Sequence, residues 1–279
     1  MESVAVLMTC FNRKAKTERC LRNLFAVLPT CVVYLVDDAS TDGTSEMVQT
    51  MFPAVRLLQG DGNLFWSRGM YRAWKEAVKG NYDAYLWLND DVVLYPDFWE
   101  ELKACQTWGG KDAVVTGLID NEQHTEILYG GSDEKGCLVG PAAVPASVKF
   151  MNGNVVLVGK ETVLRVGIID PVYHHDLGDV DYGLRVLEQG GKVIATRKAV
   201  AFGYRNDMCR VRKWGVSLGK RFRTLYAPLG NPPGINFYFR RKHIGLLNAC
   251  MYYLFLHVIN LLPDSVVKRI FGTRYMQQN

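Results

Sequence analysis

Ala84-Tyr85-Leu86-Trp87-Leu88-Asn89-Asp90-Asp91-Val92-Val93-Leu94 is the most informative stretch of the chain. An apolar run stops on Asn89-Asp90-Asp91, and a second apolar run follows at once. Carboxylates between strand-like segments are costly to bury unless a cation compensates them. A divalent metal on a diphosphate would do so, since Mg²⁺ and Mn²⁺ favour carboxylate and phosphate oxygens. The chain would then handle a nucleotide-linked substrate.

Working outward toward the N-terminus, strand and helix signals alternate. Val4-Ala5-Val6-Leu7-Met8 reads as a buried strand. Leu21, Leu24, Phe25 and Leu28 recur at helical spacing, which predicts a helix over 14–28, ended by Pro29. A strand over 31–36 closes on Asp37-Asp38. Thr41-Asp42-Gly43-Thr44 is turn and cap chemistry. A short helix to about Phe52, a strand over 55–58, a helical face of Met70, Ala73, Trp74 and Ala77, and a strand over 82–88 follow. Such alternation predicts a mostly parallel sheet with helices on both faces. Ligands of such sheets sit beyond the carboxyl ends of the strands. Thr9-Cys10-Phe11-Asn12, Asp37-Asp38 and Asn89-Asp90-Asp91 all fall at such ends, so they are expected on one edge.

Toward the C-terminus, Leu118 to Pro145 is Gly-rich and reads as hairpins and loops. Residues 148–159 read as a strand pair around Asn152-Gly153-Asn154. A loop beginning at Asp170-Pro171 holds His174, His175 and Asp176 and runs into Gly178-Asp179-Val180-Asp181. A helix is predicted over 182–189, ended by Gly190-Gly191, and a strand over 192–196. Asp179 and Asp181 open a helix, where the dipole favours carboxylates. They read either as cap and first-turn acids or as a general base with its neighbour. Position alone leaves both readings open.

At 279 residues the chain can bury one large core or two modest ones. Its net charge is +5, and basic residues gather after Arg197: Arg205, Arg210, Arg212, Lys213, Lys220, Arg221, Arg223 and Arg240-Arg241-Lys242. Such a cluster suits phosphates, anionic headgroups or nucleic acid, or is simply a solvated surface. The seven scattered cysteines form no C-x-x-C pair, which argues for a reducing compartment over a disulfide framework. Met1-Glu2-Ser3 runs straight into a strand, so no signal peptide is expected. Ile244 to Leu262 is almost wholly apolar and close to the ~20 residues that span a bilayer. Basic flanks on both sides fit an in-plane or re-entrant anchor better than an oriented span; a buried core helix is the alternative. There is no G-x-x-x-x-G-K-[ST] and no G-x-G-x-x-G after the first strand, so a ligand must be held by side chains and a metal.

Together these motifs resemble the family-2 glycosyltransferases with the GT-A fold. Val6-Leu7-Met8-Thr9-Cys10-Phe11-Asn12-Arg13 is similar to the family's opening strand and T-Y-N-R turn. Val36-Asp37-Asp38-Ala39-Ser40-Thr41-Asp42-Gly43-Thr44 is close to V-D-D-x-S-x-D-G-T, and Asn89-Asp90-Asp91 stands at the D-x-D-like position. Asn152-Gly153 and Gly178-Asp179-Val180-Asp181-Tyr182-Gly183-Leu184-Arg185 resemble the acceptor-side segment and its E-D-x-D-x-x-x-R motif. The resemblance covers about residues 3 to 204, and is nearest to the rhamnosyl-, galactofuranosyl- and hexosyltransferases of bacterial surface polysaccharides.

The resemblance implies an α/β GT-A domain over 1–204, with a nucleotide-sugar half (1–117) and an acceptor half (118–204). A basic, apolar, helical membrane-associating extension would occupy 205–279. It implies an inverting, metal-dependent hexosyl- or deoxyhexosyltransferase using a UDP- or dTDP-linked sugar. The acceptor would be a lipid-linked or growing surface glycan (O-antigen, capsule or cell wall), met at the cytoplasmic face of the membrane through residues 240–275. Thr9, Asn12, Asp37, Asp38, Asn63, Arg68 and Asp90 would bind the donor, with Asp38 at the base and Asp90 at the ribose or the metal. Asp91, with Asp90, would hold Mg²⁺ or Mn²⁺. Asp179 would be the catalytic base. Asn152, Gly153, Asp176 and Asp181 would lie on the acceptor side, with Asp181 and Arg185 shaping the loop and helix.

Two departures stand out. The motif's Glu is Gly178 here, so that acceptor-side carboxylate is either absent or supplied by Asp176. The His expected about twenty residues after the base is absent from Ala199-Val200-Ala201-Phe202-Gly203-Tyr204; His174 and His175 read first as ordinary loop histidines and second as substitutes for it. A nucleotidyltransferase and a non-catalytic nucleotide- or glycan-binding protein are the rival readings. Nucleic acid is not expected as a partner, because no recognised motif accompanies the basic and aromatic residues.

Overall fold

The computed structural model describes residues 3–205 and 210–275. The chain divides into two compact units, Met1–His174 with Gly178–Arg205, and His175–Leu177 with Asn206–Asn279.

The first unit begins with the expected alternation: β1 (Val4–Cys10), α1 (Lys14–Val27), β2 (Val32–Asp37), α2 (Thr44–Met51), β3 (Arg56–Gln59), α3 (Phe65–Ala77) and β4 (Ala84–Leu88). It continues through β5 (Val93–Leu94), α4 (Phe98–Gly109), β6 (Ala113–Asp120), β7 (Ile127–Tyr129), β8 (Gly131–Ser132), β9 (Ala146–Ser147), β10 (Phe150–Met151), β11 (Val155–Gly159), α5 (Lys160–Val166), α6 (Gly178–Glu188) and β12 (Lys192–Phe202). The central sheet runs β3-β2-β1-β4-β11-β6-β12-β5, with β7 on β6 and β9 on β12. Strand β1 reads as an unbroken apolar run because both of its faces are covered. Val4, Val6 and Met8 pack with Leu21, Leu24, Met47 and Val48 on one side. Ala5 and Leu7 pack with Met70, Trp74, Trp87 and Tyr182 on the other.

Direction is what the apolar pattern could not show. Strands β3-β2-β1-β4 are parallel, but β11 runs antiparallel to both β4 and β6. All eight residues of β6 are buried, so the expected loop region from Leu118 still holds the end of a central strand. The division drawn at 117/118 falls inside it. The expected strand pair over 148–159 separates instead: β11 enters the main sheet, while β10 pairs with β8 in a small second sheet. Helix α6 starts at Gly178, four residues before the predicted Tyr182. Strand β12 runs on to Phe202 by way of register shifts between Ala195 and Ala201.

The second unit holds α7 (Leu218–Tyr226), α8 (Pro233–His243), α9 (Leu246–Leu261) and α10 (Asp264–Phe271). The apolar stretch 244–262 becomes α9, 16 residues long, preceded by Gly245 at φ 131° and followed by Pro263. No described helix is long and apolar enough to cross a membrane. Helix α9 buries Ala249, Leu256, Ile259 and Asn260 and exposes Leu247, Met251, Leu254, Val258 and Leu261. The core and surface readings of this stretch therefore belong to its two faces. Two members of the basic cluster turn inward: Arg212 and Arg221 donate to the Leu262 carbonyl at 3.0 and 2.9 Å and both pair with Asp264. They cap the C-terminal end of α9.

Candidate active site

The sheet brings the polar clusters of the first unit to one edge. Cys10 lies opposite Asp37 across β1 and β2, Leu7 opposite Trp87 across β1 and β4, and the Asn89 amide donates to the Asn154 carbonyl at 2.9 Å. Asp37 accepts from the Ser40 amide at 2.9 Å and from the Ser45 hydroxyl. Asp38 accepts from the amides of Gly62 (2.9 Å), Leu64 (2.9 Å) and Phe65 (3.0 Å). Those bonds take three of the roughly four acceptor directions of a carboxylate, so Asp38, expected at the base, shapes the loop that opens α3. Gly60 allows this approach, since a Cβ there would sit 2.4 Å from Asp38 Oδ1.

Asn12 joins two loops. Its Oδ1 accepts from the Thr41 amide at 2.7 Å, and its own amide donates to Ser40 Oγ at 2.8 Å. Asn63 closes a turn on Asp61, amide to Oδ1, 2.9 Å. Arg68 Nε donates to the Pro171 carbonyl at 3.0 Å. Thr9 lies under α3, where a Cβ on Gly69 would meet its Oγ1 at 2.3 Å. Asn12, Ala39 and Phe65 hold left-handed backbone, φ 49°, 62° and 55°. For non-glycine residues such strain costs of order 1–3 kcal/mol each, and it gathers at functional sites.

The acidic tripeptide has three different fates. Asn89 accepts from Trp66 Nε1 at 2.7 Å and donates to Asn154 Oδ1. Asp90 is buried, where Thr17 Oγ1 donates to it at 3.1 Å and Arg13 Nη1 at 3.1 Å. Asp91 accepts from the same Arg13 Nη1 at 2.9 Å and keeps 30% of its side chain exposed. Burial lifts the Asp90 carboxyl to about 6, with Arg13 opposing and Asp91 adding to the rise. The cation required by the buried carboxylate is thus Arg13, from the turn after β1. Asp90, expected at the ribose or the metal, faces Thr17 and Arg13. Sequence reasoning missed Arg13; its only signal was its place in the Thr9–Arg13 turn.

Toward a metal, the donors present are limited. Asp91 is a partly exposed carboxylate, and among the described residues no group of three or more His, Cys, Asp and Glu could close a shell. Neither His174 nor His175 completes one. This set fits a hard cation whose remaining ligands are phosphate and water oxygens.

Asp179 lies in the first turn of α6. Its Oδ2 accepts from the Gly153 amide at 2.9 Å and its Oδ1 from the Val180 amide at 2.8 Å. Gly153 has no room for a side chain: a Cβ would meet the Trp66 ring at 2.5 Å and Asp179 Cβ at 3.3 Å. Gly178 is similarly confined: a Cβ there would sit 2.5 Å from Ser67 Oγ, so the family's Glu would have to displace Ser67. Asn152 Oδ1 accepts from the Asn154 amide at 3.2 Å. Asp181 is wholly buried, accepting from Tyr173 Oη at 2.9 Å and Arg185 Nε at 2.8 Å. Arg185 also donates to the carbonyls of Val166 and Ile168, each at 2.8 Å. Asp181, expected on the acceptor side, braces the helix. Asp176 belongs to the second unit, where it pairs with Arg210.

The profile of Glycosyl transferase family 2 matches residues 5–138, which span Thr9, the Asp37-Asp38 pair and the acidic tripeptide. Residues 5–138 form a family 2 glycosyltransferase segment. No curated protein sequence matches the chain. Among solved structures, the chain is similar to the mannosyltransferase PcManGT from Pyrobaculum calidifontis, solved with GDP-Man and Mn²⁺. The identity is 15%, with a TM-score of 0.56, over 97% of this chain and 79% of that one. It is also similar to GalNAc-T7, solved with UDP, GalNAc and Mn²⁺, at 14% identity and a TM-score of 0.59, over 98% of this chain and 58% of that one. The expected GT-A fold is thereby shown.

Proposed function

We propose that the chain is a glycosyltransferase that moves a hexose or deoxyhexose from a UDP- or dTDP-linked donor to a hydroxyl of a lipid-linked or growing surface glycan, with inversion. The observation that carries this is the pairing of Asp179 with the Gly153 amide beside Asn154, which is itself bonded to Asn89 of the acidic tripeptide. A carboxylate held by a backbone amide keeps a fixed direction, as a base facing an acceptor hydroxyl requires. Asp179 takes the proton as the hydroxyl attacks the anomeric carbon, and the diphosphate leaves from the opposite face. Asp91 and the donor diphosphate would hold Mg²⁺ or Mn²⁺, which when bound lowers the cost of charge on the leaving group. Thr9, Asp37 and Asp38 form the donor side of the cleft directly or through the loops they order.

The test is a panel of nucleotide-sugars with Mn²⁺, read by thermal stabilisation, since a ligand of the native state raises stability by mass action. One nucleotide class should raise the Tm, and its sugar should be released or transferred. If none binds, the donor reading fails.

The acceptor would be met at the cytoplasmic membrane surface. Leu247, Met251, Leu254, Val258 and Leu261 form one exposed apolar stripe on α9, and Arg241, Lys242, Lys268, Arg269 and Arg274 are exposed in the segments before and after it. An apolar stripe with basic flanks suits in-plane binding to anionic lipid. Leu254→Glu with Val258→Glu should move the protein out of the pellet with phosphatidylglycerol vesicles. An unchanged pellet fraction would remove the membrane from the proposal.

A further inference from the structure

We propose that Arg13 is the resident counter-ion of the acidic pair, and that it makes metal binding conditional on the donor diphosphate. The inference deepens the donor reading given above. One guanidinium nitrogen, Arg13 Nη1, donates to Asp90 Oδ1 at 3.1 Å and to Asp91 Oδ2 at 2.9 Å. Two carboxylates and one guanidinium leave this corner with one net negative charge instead of two. A divalent cation approaching Asp91 alone meets a positive group already bonded to that carboxylate. With few further protein donors among the described residues, it gains little to offset the repulsion.

The diphosphate changes that balance. Its oxygens offer the metal the ligands that the protein lacks, and they offer Arg13 a second anion suited to guanidinium geometry. Arg13 can reach outward because its side chain is 47% exposed, whereas Asp90 stays anchored on Thr17. Metal and diphosphate then bind together, each raising the affinity for the other by the same factor. The arrangement also keeps Asp90 compensated in the empty site, where its burial would otherwise be costly.

The experiment uses the full chain and Mn²⁺ alone, followed by electron paramagnetic resonance of free and bound Mn²⁺, with no donor and no turnover. Wild type should bind Mn²⁺ weakly, and Arg13→Gln should bind it about tenfold more tightly, a typical size for coupling between neighbouring sites. Adding Asp91→Asn to Arg13→Gln should abolish the gain. UDP or GDP should tighten Mn²⁺ binding in wild type and do so less in Arg13→Gln. If Arg13→Gln does not fold, Arg13→Lys keeps the charge and should leave Mn²⁺ binding weak while thermal unfolding confirms a native chain. Equal Mn²⁺ affinity in wild type and Arg13→Gln, or an Arg13→Lys chain that binds Mn²⁺ tightly, overturns the inference. A chain that binds no nucleoside diphosphate at all defeats the donor reading instead, while the Mn²⁺-alone comparison still decides the role of Arg13.

Discussion

Two acidic pairs face different demands, and their differences separate support from chemistry. In each pair one carboxylate is buried, held by a hydroxyl and an arginine: Asp90 by Thr17 and Arg13, Asp181 by Tyr173 and Arg185. In each the other carboxylate stays nearer the surface: Asp91, and Asp179 on the Gly153 amide. The pairs differ in how far the arginine reaches. Arg185 serves Asp181 and two carbonyls of its own neighbourhood, so it fixes a helix. Arg13 touches both acids of its pair, so it can also regulate what binds there. A buried acid with a private arginine is a brace, and a shared arginine leaves room for exchange.

The comparison breaks first at Asp179. Asp179→Asn should keep the bond from Gly153 yet lose the proton acceptor, lowering transfer by about 10²- to 10⁴-fold, measured as product formed per folded molecule with nucleotide affinity retained. Near-normal turnover would remove Asp179 as the base. Next comes its partner. Asp181→Ala leaves Arg185 uncompensated in a buried place, so stability should fall by about 3–5 kcal/mol, read from urea midpoints. A small change in midpoint with a large loss of turnover would place Asp181 among the reacting groups. A finer probe is Gly153→Ala. The added methyl must displace Trp66 or Asp179, and a misplaced base should lower kcat by about tenfold or more, with the donor KM little changed.

The smallest effect sharpens the idea of the brace outside the cleft. Glu101 is buried and receives three hydrogen bonds from Arg197. Burial alone would raise its carboxyl, but the bonds from Arg197 prevail and hold it at about 2, below its ordinary 4.5. A lowered carboxylate stabilises the fold above its unfolded pKa, and that contribution is lost as pH falls through the folded value. Glu101→Gln should therefore be less stable than wild type at neutral pH, with the gap closing between about pH 4.5 and 2. Parallel acid-unfolding curves for the two proteins would deny Glu101 its bracing role.

How much of this was legible in the sequence follows from distance along the chain. The apolar run Val4–Met8, the helical face of Met70, Ala73 and Trp74, and the polar residues at strand ends are local patterns, and they indicated the sheet and its ligand edge. Asp181 and Arg185 stand four apart on one helix, so their partnership is also written locally. Arg13 and Asp90 are 77 residues apart, and no spacing rule joins them. The same holds for β11, whose composition suits a central strand of either direction and whose antiparallel place between β4 and β6 brings Gly153 to Asp179.

By itself, then, the sequence determined the alternation of strands and helices from β1 to β4, which edge is polar, and that the acids of Asn89-Asp90-Asp91 need a cation, because burial periodicity and turn chemistry act between near neighbours. Only the tertiary structure decided that this cation is Arg13, that a side chain at Gly178 would press on Ser67, and that α9 is apolar on two faces for two reasons. Those outcomes depend on which distant surfaces meet, and packing sets that only when the whole sheet and its helices are in place.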